Sequence, residues 1–157
     1  MAFPFYLKVT GSRQGDFKGD SSDPRRAGWI KCLDFQLQLV SPRDQRSGQV
    51  SGKRIWKPIV ITKQWDPASP QFLQSLATNE LLSSVLIEFE SDLADGTEGT
   101  YYSVHLTDAS VAKVRQYIGR HGEAADLFEI EEIDFTFRKI DIVFKDGGTT
   151  FSDNWLL

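Results

Sequence analysis

The sequence predicts a mainly β domain that contains one short α-helix. Apolar and polar residues alternate through most of the chain, which is the period of half-buried strands. Turn signals rich in glycine and aspartate separate these runs at the spacing typical of a barrel or a sandwich. Only one segment clearly repeats its apolar residues with the helical period. We therefore expect roughly seven to nine strands around one core.

Length, composition and charge limit the classes of function. The chain has 157 residues, 40% of them apolar, which is enough for one core, so residues 1–157 are predicted to form a single domain. The net charge of −4 gives no overall basic field, and nucleic acid is therefore not an expected partner. No run approaches the ~20 apolar residues that span a bilayer, so we expect no membrane insertion. Other proteins are the expected partners.

The cysteine, the histidines and the N-terminus bear on compartment and metals. Cys32 is the only cysteine, which excludes an internal disulfide and suits a reducing cytoplasm. The only histidines, His105 and His121, have no neighbouring ligand at helical or strand spacing, so no metal and no cofactor is expected. The start MAFPFYLK lacks the basic and long apolar regions of a signal peptide.

The first half of the chain predicts three strands separated by polar, glycine-containing loops. Their apolar residues are Phe3, Phe5, Leu7 and Val9, ending at Gly11; Leu33, Phe35, Leu37 and Leu39, as one long strand; and Ile59 and Ile61.

The middle of the chain predicts a hairpin, because Asp95-Gly96 favours a tight turn. The flanking strands carry Val85, Ile87 and Phe89 before the turn, and Tyr102, Val104 and Leu106 after it. Residues 109–118 fit either a helix or a strand, and their β-branched residues favour a strand.

The last third of the chain has the clearest strand pattern. Its apolar residues are Ile133, Phe135 and Phe137 on one face, and then Ile140, Ile142 and Phe144 in a shifted phase. The shift predicts a bulge or bend near Arg138 and Lys139. Asp146-Gly147-Gly148 predicts a second hairpin turn, with a last strand over residues 149–155.

The stretch ITKQWDPASPQFLQSLATNE predicts a turn followed by the single helix. Asp66 and Pro67 belong to the turn, Ser69 is predicted to cap the helix N-terminus, and Pro70 to occupy its first position. Asn79 is predicted to end the helix in a left-handed conformation.

The same corner could in principle belong to an enzyme. Phe72, Leu73, Leu76 and Ala77 are predicted to share one apolar helix face. Neither a nucleophile elbow nor a phosphate-binding loop is present before them. A catalytic Ser69 is the alternative, but a serine directly before proline at a helix start is typical of a cap.

Two further groups of residues could carry chemistry. Glu129, Glu131, Glu132 and Asp134 could supply an acid–base pair, but alternation with apolar residues predicts the solvent face of a strand. The four tryptophans could line a sugar-binding groove, although large aromatics in β domains are more often core or interface anchors. A monomeric sugar-binding β domain remains a remote alternative.

Opposite charges are concentrated in two segments. Residues 41–57 carry five basic side chains and one acidic side chain, a net charge of +4. Residues 122–146 carry three basic and eight acidic side chains, a net charge of −5. Unlike patches on one subunit permit head-to-tail association into rings or filaments, although two ordinary solvated surfaces would have the same composition.

Several segments match a known family in order and spacing. They are AFPFYLKV, FKGDS followed by GWI, SGKRIWKPIVITKQWDPASPQFLQSLATNE, YYSVHLTDASV and EEIDFTFRKIDIVFKDGGTTFSDNW. In these segments the chain resembles the Hcp family, the tube-forming proteins of bacterial type VI secretion systems. The sequence departs from many relatives at Asp20, where they have Glu, and at Arg25 or Arg26, where they have His. Residues 113–127 match least.

The resemblance implies a compact β-barrel of two sheets with one short α-helix. Six copies would form a homohexameric ring, and rings would stack into a hollow tube inside a contractile sheath. The tube would be ejected with a spike protein, and small effector proteins would lie in its lumen. The resemblance also implies assembly in the bacterial cytoplasm and secretion without a signal peptide. It implies no C-terminal toxin domain and no catalytic residue. The nearest alternative is a tube subunit of a phage-like or extracellular contractile injection particle.

The resemblance and the charge pattern together assign two surfaces. The ring-stacking loop is expected to contain Arg43, Arg46, Gln49, Val50, Lys53, Arg54, Ile55 and Trp56. An acidic complementary patch is expected at Glu129, Glu131, Glu132 and Asp134. Residues 72–79 correspond to the helix of the family.

Overall fold

The computed structural model describes residues 4–122 and 126–155, in which the chain forms twelve strands, one α-helix and a 3₁₀ turn at Pro24–Arg26. The strands are β1 (Phe5–Gly11), β2 (Gly15–Asp16), β3 (Ile30–Cys32), β4 (Asp34–Gln36), β5 (Leu39–Val40), β6 (Ile55–Trp56), β7 (Ile59–Gln64), β8 (Leu82–Asp92), β9 (Glu98–Arg120), β10 (Leu127–Thr136), β11 (Lys139–Phe144) and β12 (Thr149–Asn154). The helix α1 spans Ser69–Thr78. The predicted mainly β architecture with one helix is confirmed, and Phe3 lies outside the described residues.

One antiparallel ladder organises the fold. Its strand order is β2-β1-β8-β9-β10-β7-β4, with the β11–β12 hairpin added to β9 and β3 added to β1. The first half of β9 pairs with β8 and β11, and its second half pairs with β10. Asp108, with φ of 52°, lies where the strand passes from one set of partners to the other. The second, two-stranded sheet is β5–β6.

The long strand predicted over Leu33–Leu39 is wrong. This segment is divided into β3, which pairs with β1, β4, which pairs with β7, and β5, which pairs with β6. Leu33 lies between β3 and β4, and its N–H donates to the carbonyl of Thr62 at 2.7 Å. Strands β3 and β4 lie at the two ends of the ladder and are joined by the chain at Leu33 rather than paired with each other. The described strands therefore do not form a continuously closed barrel.

The core lies between the two halves of the ladder. Its members from the β1–β8–β9 region are fully buried apolar residues, among them Leu7, Val9, Ile87, Val104 and Leu106. Those from the β7–β10 region include Ile59, Ile61, Ile133 and Phe135. The ring of Phe72 from α1 lies 4.9 Å from that of Phe17 and 6.0 Å from that of Phe135. The helix thus seals the core.

Both predicted hairpins are confirmed. Strands β8 and β9 pair up to Asp92 and Glu98, and the turn between them contains Gly96 with φ of 86°. Strands β11 and β12 pair across the turn that contains Gly148, with φ of 64°. The phase shift near Arg138 marks the passage from β10 to β11. The ambiguous residues 109–118 are strand, as part of β9.

The helix differs from its prediction at both its first turn and its apolar face. Its N-cap residue is Ala68, with no side-chain hydrogen bond, so the prediction that Ser69 is the cap is wrong. Leu73 and Ala77 are exposed, and Ser75 is buried in their place. Asn79 ends the helix with φ of 53° and ψ of 42°, which confirms the predicted left-handed stop.

Candidate functional site

A projecting hairpin forms the most distinctive surface feature, and we call residues 41–54 the arm. The arm rises from the β5–β6 ladder and is continued by a bridge between Arg43 and Val50. At its tip the Asp44 carboxylate accepts from the N–H groups of Arg46 and Ser47, at 2.9 Å each. A carboxylate that closes its own turn in this way makes the tip a defined loop.

The surface of the arm combines positive charge with apolar groups. Val50 is 61% exposed and Ile55, at the foot of the arm, is 42% exposed. The side chains of Arg43, Arg46 and Lys53 are exposed as well. Exposed branched residues among cations are typical of a surface that meets a partner.

The root of the arm is tied to the last strand. The Arg54 guanidinium donates to both carboxylate oxygens of Asp153, at 2.6 Å each, and to the carbonyl of Asn154 at 3.1 Å. The indole N–H of Trp56 donates to the same carboxylate at 2.9 Å. We call Arg54, Trp56 and Asp153 the clasp. Hydrogen bonding from Arg54 holds the pKa of Asp153 below its usual range.

The clasp corrects the predicted role of Trp56. This side chain is 4% exposed, and its ring packs 5.3 Å from that of Phe137 and 6.2 Å from that of Phe151. It is buried within its own subunit and offers no apolar surface to a neighbour. Of the apolar residues expected in the stacking loop, Val50 and Ile55 are exposed.

Strand register fixes where the arm leaves the body. One row across the sheet contains Thr107, Lys139 and Asn154, and a second row contains Tyr102 and Phe144. Five residues separate the two rows, which is roughly 17 Å along the strands. The contact of Arg54 with Asn154 places the root of the arm at the first row. The row that contains Tyr102 lies at the other end of the sheet.

The opening turn of α1 contains a sealed cluster of charges, formed by Lys63, Asp66, Ser69 and Glu131. The Lys63 ammonium is fully buried, 2.7 Å from Glu131 Oε2 and 2.8 Å from Asp66 Oδ1. Glu131 is also fully buried, and it faces Lys63 directly across β7 and β10. Burial raises the pKa of Asp66, against the opposing effect of Lys63.

Ser69 joins this cluster as a hydrogen-bonding residue. Its hydroxyl donates to Glu131 Oε2 at 2.7 Å and accepts from the N–H of Asp66 at 3.0 Å. Asp66 also accepts from the N–H of Ala68, so this aspartate shapes the turn. At 5% exposure, the hydroxyl of Ser69 is closed to a substrate in this conformation.

The predicted acidic patch is divided. Glu131 belongs to the core, so its expected exposure is wrong. Glu132 is half-buried and accepts from Arg115 at 3.1 Å, and Asp134 is half-buried on the same face of β10. Glu129 is exposed but has the opposite strand parity. Only part of the predicted acidic surface is therefore continuous.

A second buried ionic cluster was missed at the sequence level. Arg26 is 9% exposed, donates to Glu90 at 2.8 Å and to Thr100 at 2.7 Å, and lies 4.5 Å from the ring centroid of Trp29. Strand parity could have revealed the sealed cluster but not this one, since Arg26 lies in a 3₁₀ turn and Glu90 follows a register shift in β8. Lys63 shares the parity of the core residue Ile61, just as Glu131 shares that of Ile133.

Strand β12 presents an edge with exposed aromatic groups. Within residues 4–122 and 126–155 it pairs only with β11. Phe144, Phe151 and Trp155 on this hairpin are each between 40% and 46% exposed. An unpaired edge beside apolar rings is a surface on which another strand can dock.

The tryptophans do not favour a sugar groove. Trp56 is buried, Trp29 lies under the cations of Arg26 and Lys8, and Trp65 donates its indole N–H to Ile130 at 2.9 Å. In the described part of the chain no helix could cross a membrane, and no three histidine, cysteine or acidic side chains are grouped as metal ligands.

The family follows from sequence comparison. The family model described as the type VI secretion system effector Hcp matches residues 6–144. The chain belongs to the Hcp family. It is therefore a type VI secretion protein, as the resemblance implied.

Individual Hcp proteins support this assignment over the whole fold. The major exported protein of Pseudomonas aeruginosa is 34% identical over 166 residues, which cover 99% of this chain and 96% of the relative. The structure of Hcp1 from Escherichia coli EAEC 042 has a TM-score of 0.86 and 28% identity, covering 98% and 99% of the two chains. The structure of Hcp3 from Pseudomonas aeruginosa has a TM-score of 0.79 and 29% identity, covering 97% of each.

Proposed function

We propose that this Hcp-family chain is a structural subunit of the inner tube of a type VI secretion system. Copies of the chain would close into homohexameric rings, and the rings would stack into a hollow tube. The observation that carries the proposal is the arm, a basic projection with an exposed Val50 at its tip and its root at one end of the body. Such a projection can reach a neighbouring ring.

Ring closure is assigned to the edge of β12. The side of β12 that faces away from β11, together with the adjacent exposed rings of Phe144 and Phe151, would be covered by the next subunit. Because the arm leaves the body at one end of the sheet, stacking through it would be head-to-tail. The opposite end of the sheet, which contains Tyr102, would then face the preceding ring.

The tube would work mechanically. Ejection by a contracting sheath would export the chain together with a spike protein and small effector proteins in the lumen. The name of the major exported protein of Pseudomonas aeruginosa is consistent with export of this chain too. No catalytic step is part of this proposal, since Ser69 is enclosed within the sealed cluster.

Mass and shape in solution test the proposal. Light scattering on the purified chain should give six times the monomer mass of 17.8 kDa, and electron micrographs should show six-fold rings. The hexamer should persist on dilution because covered apolar surface holds it together. A monomeric mass at every concentration would exclude the tube subunit. If rings form but never stack, the hexamer would be supported and the role assigned to the arm in stacking would be excluded.

A further inference from the structure

The clasp gives the arm its direction, and we propose that Asp153 is the residue that positions it. The orientation of the arm relative to the body is set by this one carboxylate on β12. The consequence for tubes rests on the proposed function, whereas the orientation itself is a property of the folded chain.

The geometry of the clasp is specific. Arg54 presents Nε and Nη2 to the two oxygens of Asp153, at 2.6 Å each, so the planar fork matches the carboxylate. Trp56, two residues later in β6, also donates its indole N–H to this carboxylate. The Asp153 side chain is 14% exposed and that of Arg54 is 36% exposed, so the pair is partly shielded from water. One carboxylate thus receives three hydrogen bonds from the root of the arm.

The rest of the arm has few ties to the body. The hydrogen bonds described for residues 42–51 lie within the arm, including Ser51 N–H to Pro42 O at 3.0 Å and Asp44 N–H to Gln49 O at 2.8 Å. A hairpin held by its own hydrogen bonds keeps its shape when it swings. Without the clasp, the arm would turn about the short β5–β6 ladder as a unit.

The position of Asp153 adds a further consequence. It lies on β12, the edge assigned to ring closure, while the arm is assigned to stacking. A neighbouring subunit that docks on this edge would therefore hold β12 in place, and with it the carboxylate of Asp153 that orients the arm. This couples the two assembly steps, with rings formed before they stack.

Arm orientation can be measured on the isolated protein. Nitroxide labels at Ser51→Cys on the arm and Ser22→Cys on the body would report their separation by pulsed electron resonance, with labelled chains diluted into unlabelled ones. Cys32 is buried, and burial raises the pKa of its thiol, so it should escape labelling. Hydrogen exchange at residues 55–57 would report the root directly.

Asp153→Asn is the decisive variant, and Asp146→Asn in the same hairpin is the matched control because Asp146 is exposed. In Asp153→Asn we expect root amides to exchange about tenfold faster or more, and the distance distribution to broaden. Trp56→Phe, which removes one of the three hydrogen bonds, should give a smaller change of the same kind. Asp146→Asn should match the unmodified protein.

The outcomes separate the clasp from the tube. Unchanged exchange and an unchanged distance distribution in Asp153→Asn would overturn the clasp, whatever tubes do. A freed arm with intact hexamers and lost or shortened tubes supports both the clasp and the stacking role. A freed arm with tubes of normal length supports the clasp and counts against stacking through the arm. A matching melting temperature in the control and Asp153→Asn would separate positioning from global stability.

Discussion

The sealed cluster and the arm contain similar kinds of charged residues in opposite environments. Lys63 and Glu131 are fully buried and pair with each other, whereas Arg43, Arg46 and Lys53 lie in solvent. Removing one member of a buried ionic cluster leaves the remaining charges in the core with fewer partners. Removing a charge that lies in solvent changes the free energy of unfolding little, because water already surrounds the group. The first group is therefore expected to determine stability and the second to determine association.

The clasp lies between these two extremes. Its ion pair is partly exposed, and it joins the arm to strand β12. It should change local order more than the global free energy of unfolding. This ranking by burial gives four expectations, from the largest effect on stability to the smallest.

Glu131→Gln should have the largest effect, because it removes a charge that Lys63 meets at 2.7 Å in the core. The free energy of unfolding should fall by about 3 kcal/mol, because Asp66 is then the only ionic partner that the sealed cluster gives Lys63. Urea unfolding at matched protein concentration would measure it. Glu129→Gln, on the same strand but exposed, is the control. Equal midpoints for the two variants would mean that burial does not distinguish them.

Ser69→Ala should come second. It leaves the buried oxygen of Glu131 and the N–H of Asp66 without this hydroxyl, so we expect a loss of about 1–3 kcal/mol. The loss arises from the cluster rather than from a helix cap, and it should shrink when combined with Glu131→Gln because the two residues interact. Ser22→Ala is the exposed control. Additive losses would contradict a shared network.

Acid should open the clasp, at a lower pH than that at which Asp66 of the sealed cluster takes up a proton, because the pKa of Asp66 is raised and that of Asp153 is lowered. Hydrogen bonding from Arg54 lowers the pKa of Asp153 in the folded protein, so its contribution is present above the unfolded value of about 4 and is lost as pH falls through the lower folded value. The distance between labels at Ser51→Cys and Ser22→Cys should therefore broaden below about pH 4. In Asp153→Asn the same titration should be flat while circular dichroism shows the fold intact. A parallel transition in that variant would assign the change to another group.

Reversing the exposed charges of the arm should have the smallest effect on stability. Changing Arg43, Arg46 and Lys53 together to Glu should shift the melting temperature by about 2 °C or less. Hexamers should form while tubes and secretion fail, since the arm would repel an acidic counterpart. Arg54 is left unchanged here because it belongs to the clasp. Changing the same residues to Gln is the control that separates lost from reversed charge, and normal tubes from the Glu variant would move the stacking surface elsewhere.

Alternation predicted the long strands well because it is a local property. In β8 as far as Phe89 and in the first half of β9, the buried residues are apolar, and the hairpin turn between the two strands has its own glycine, so no distant information was needed. Family likeness supplied what local patterns cannot, namely that these strands form one Hcp fold. The split of residues 30–40 into β3, β4 and β5 was not predictable from alternation, because the pattern does not say which strand is the neighbour.

The errors at the candidate site have a different cause. The loop was recognisable from its glycines and cations, but the burial of Trp56 depends on Asp153, 97 residues away. Glu131 was assigned to solvent, together with its acidic neighbours, from their alternation with apolar residues, although its parity with Ile133 placed it inward. For Ser69, the pattern before Pro70 predicted a cap, and the cluster around Lys63 took its hydroxyl instead. In each case a long-range contact outweighed the local preference.

Strand β9 has a mechanical consequence. It extends over 23 residues, and its two halves belong to the β8–β11 region and the β10 region. No loop therefore joins these two parts of the body, and a push along the strand is transmitted through continuous covalent backbone. Sliding it past its neighbours would require many cross-strand hydrogen bonds to break at the same moment, in shear. A force along the strand would thus meet a stiff subunit, in which the left-handed residue Asp108, with φ of 52°, marks the change of strand partners.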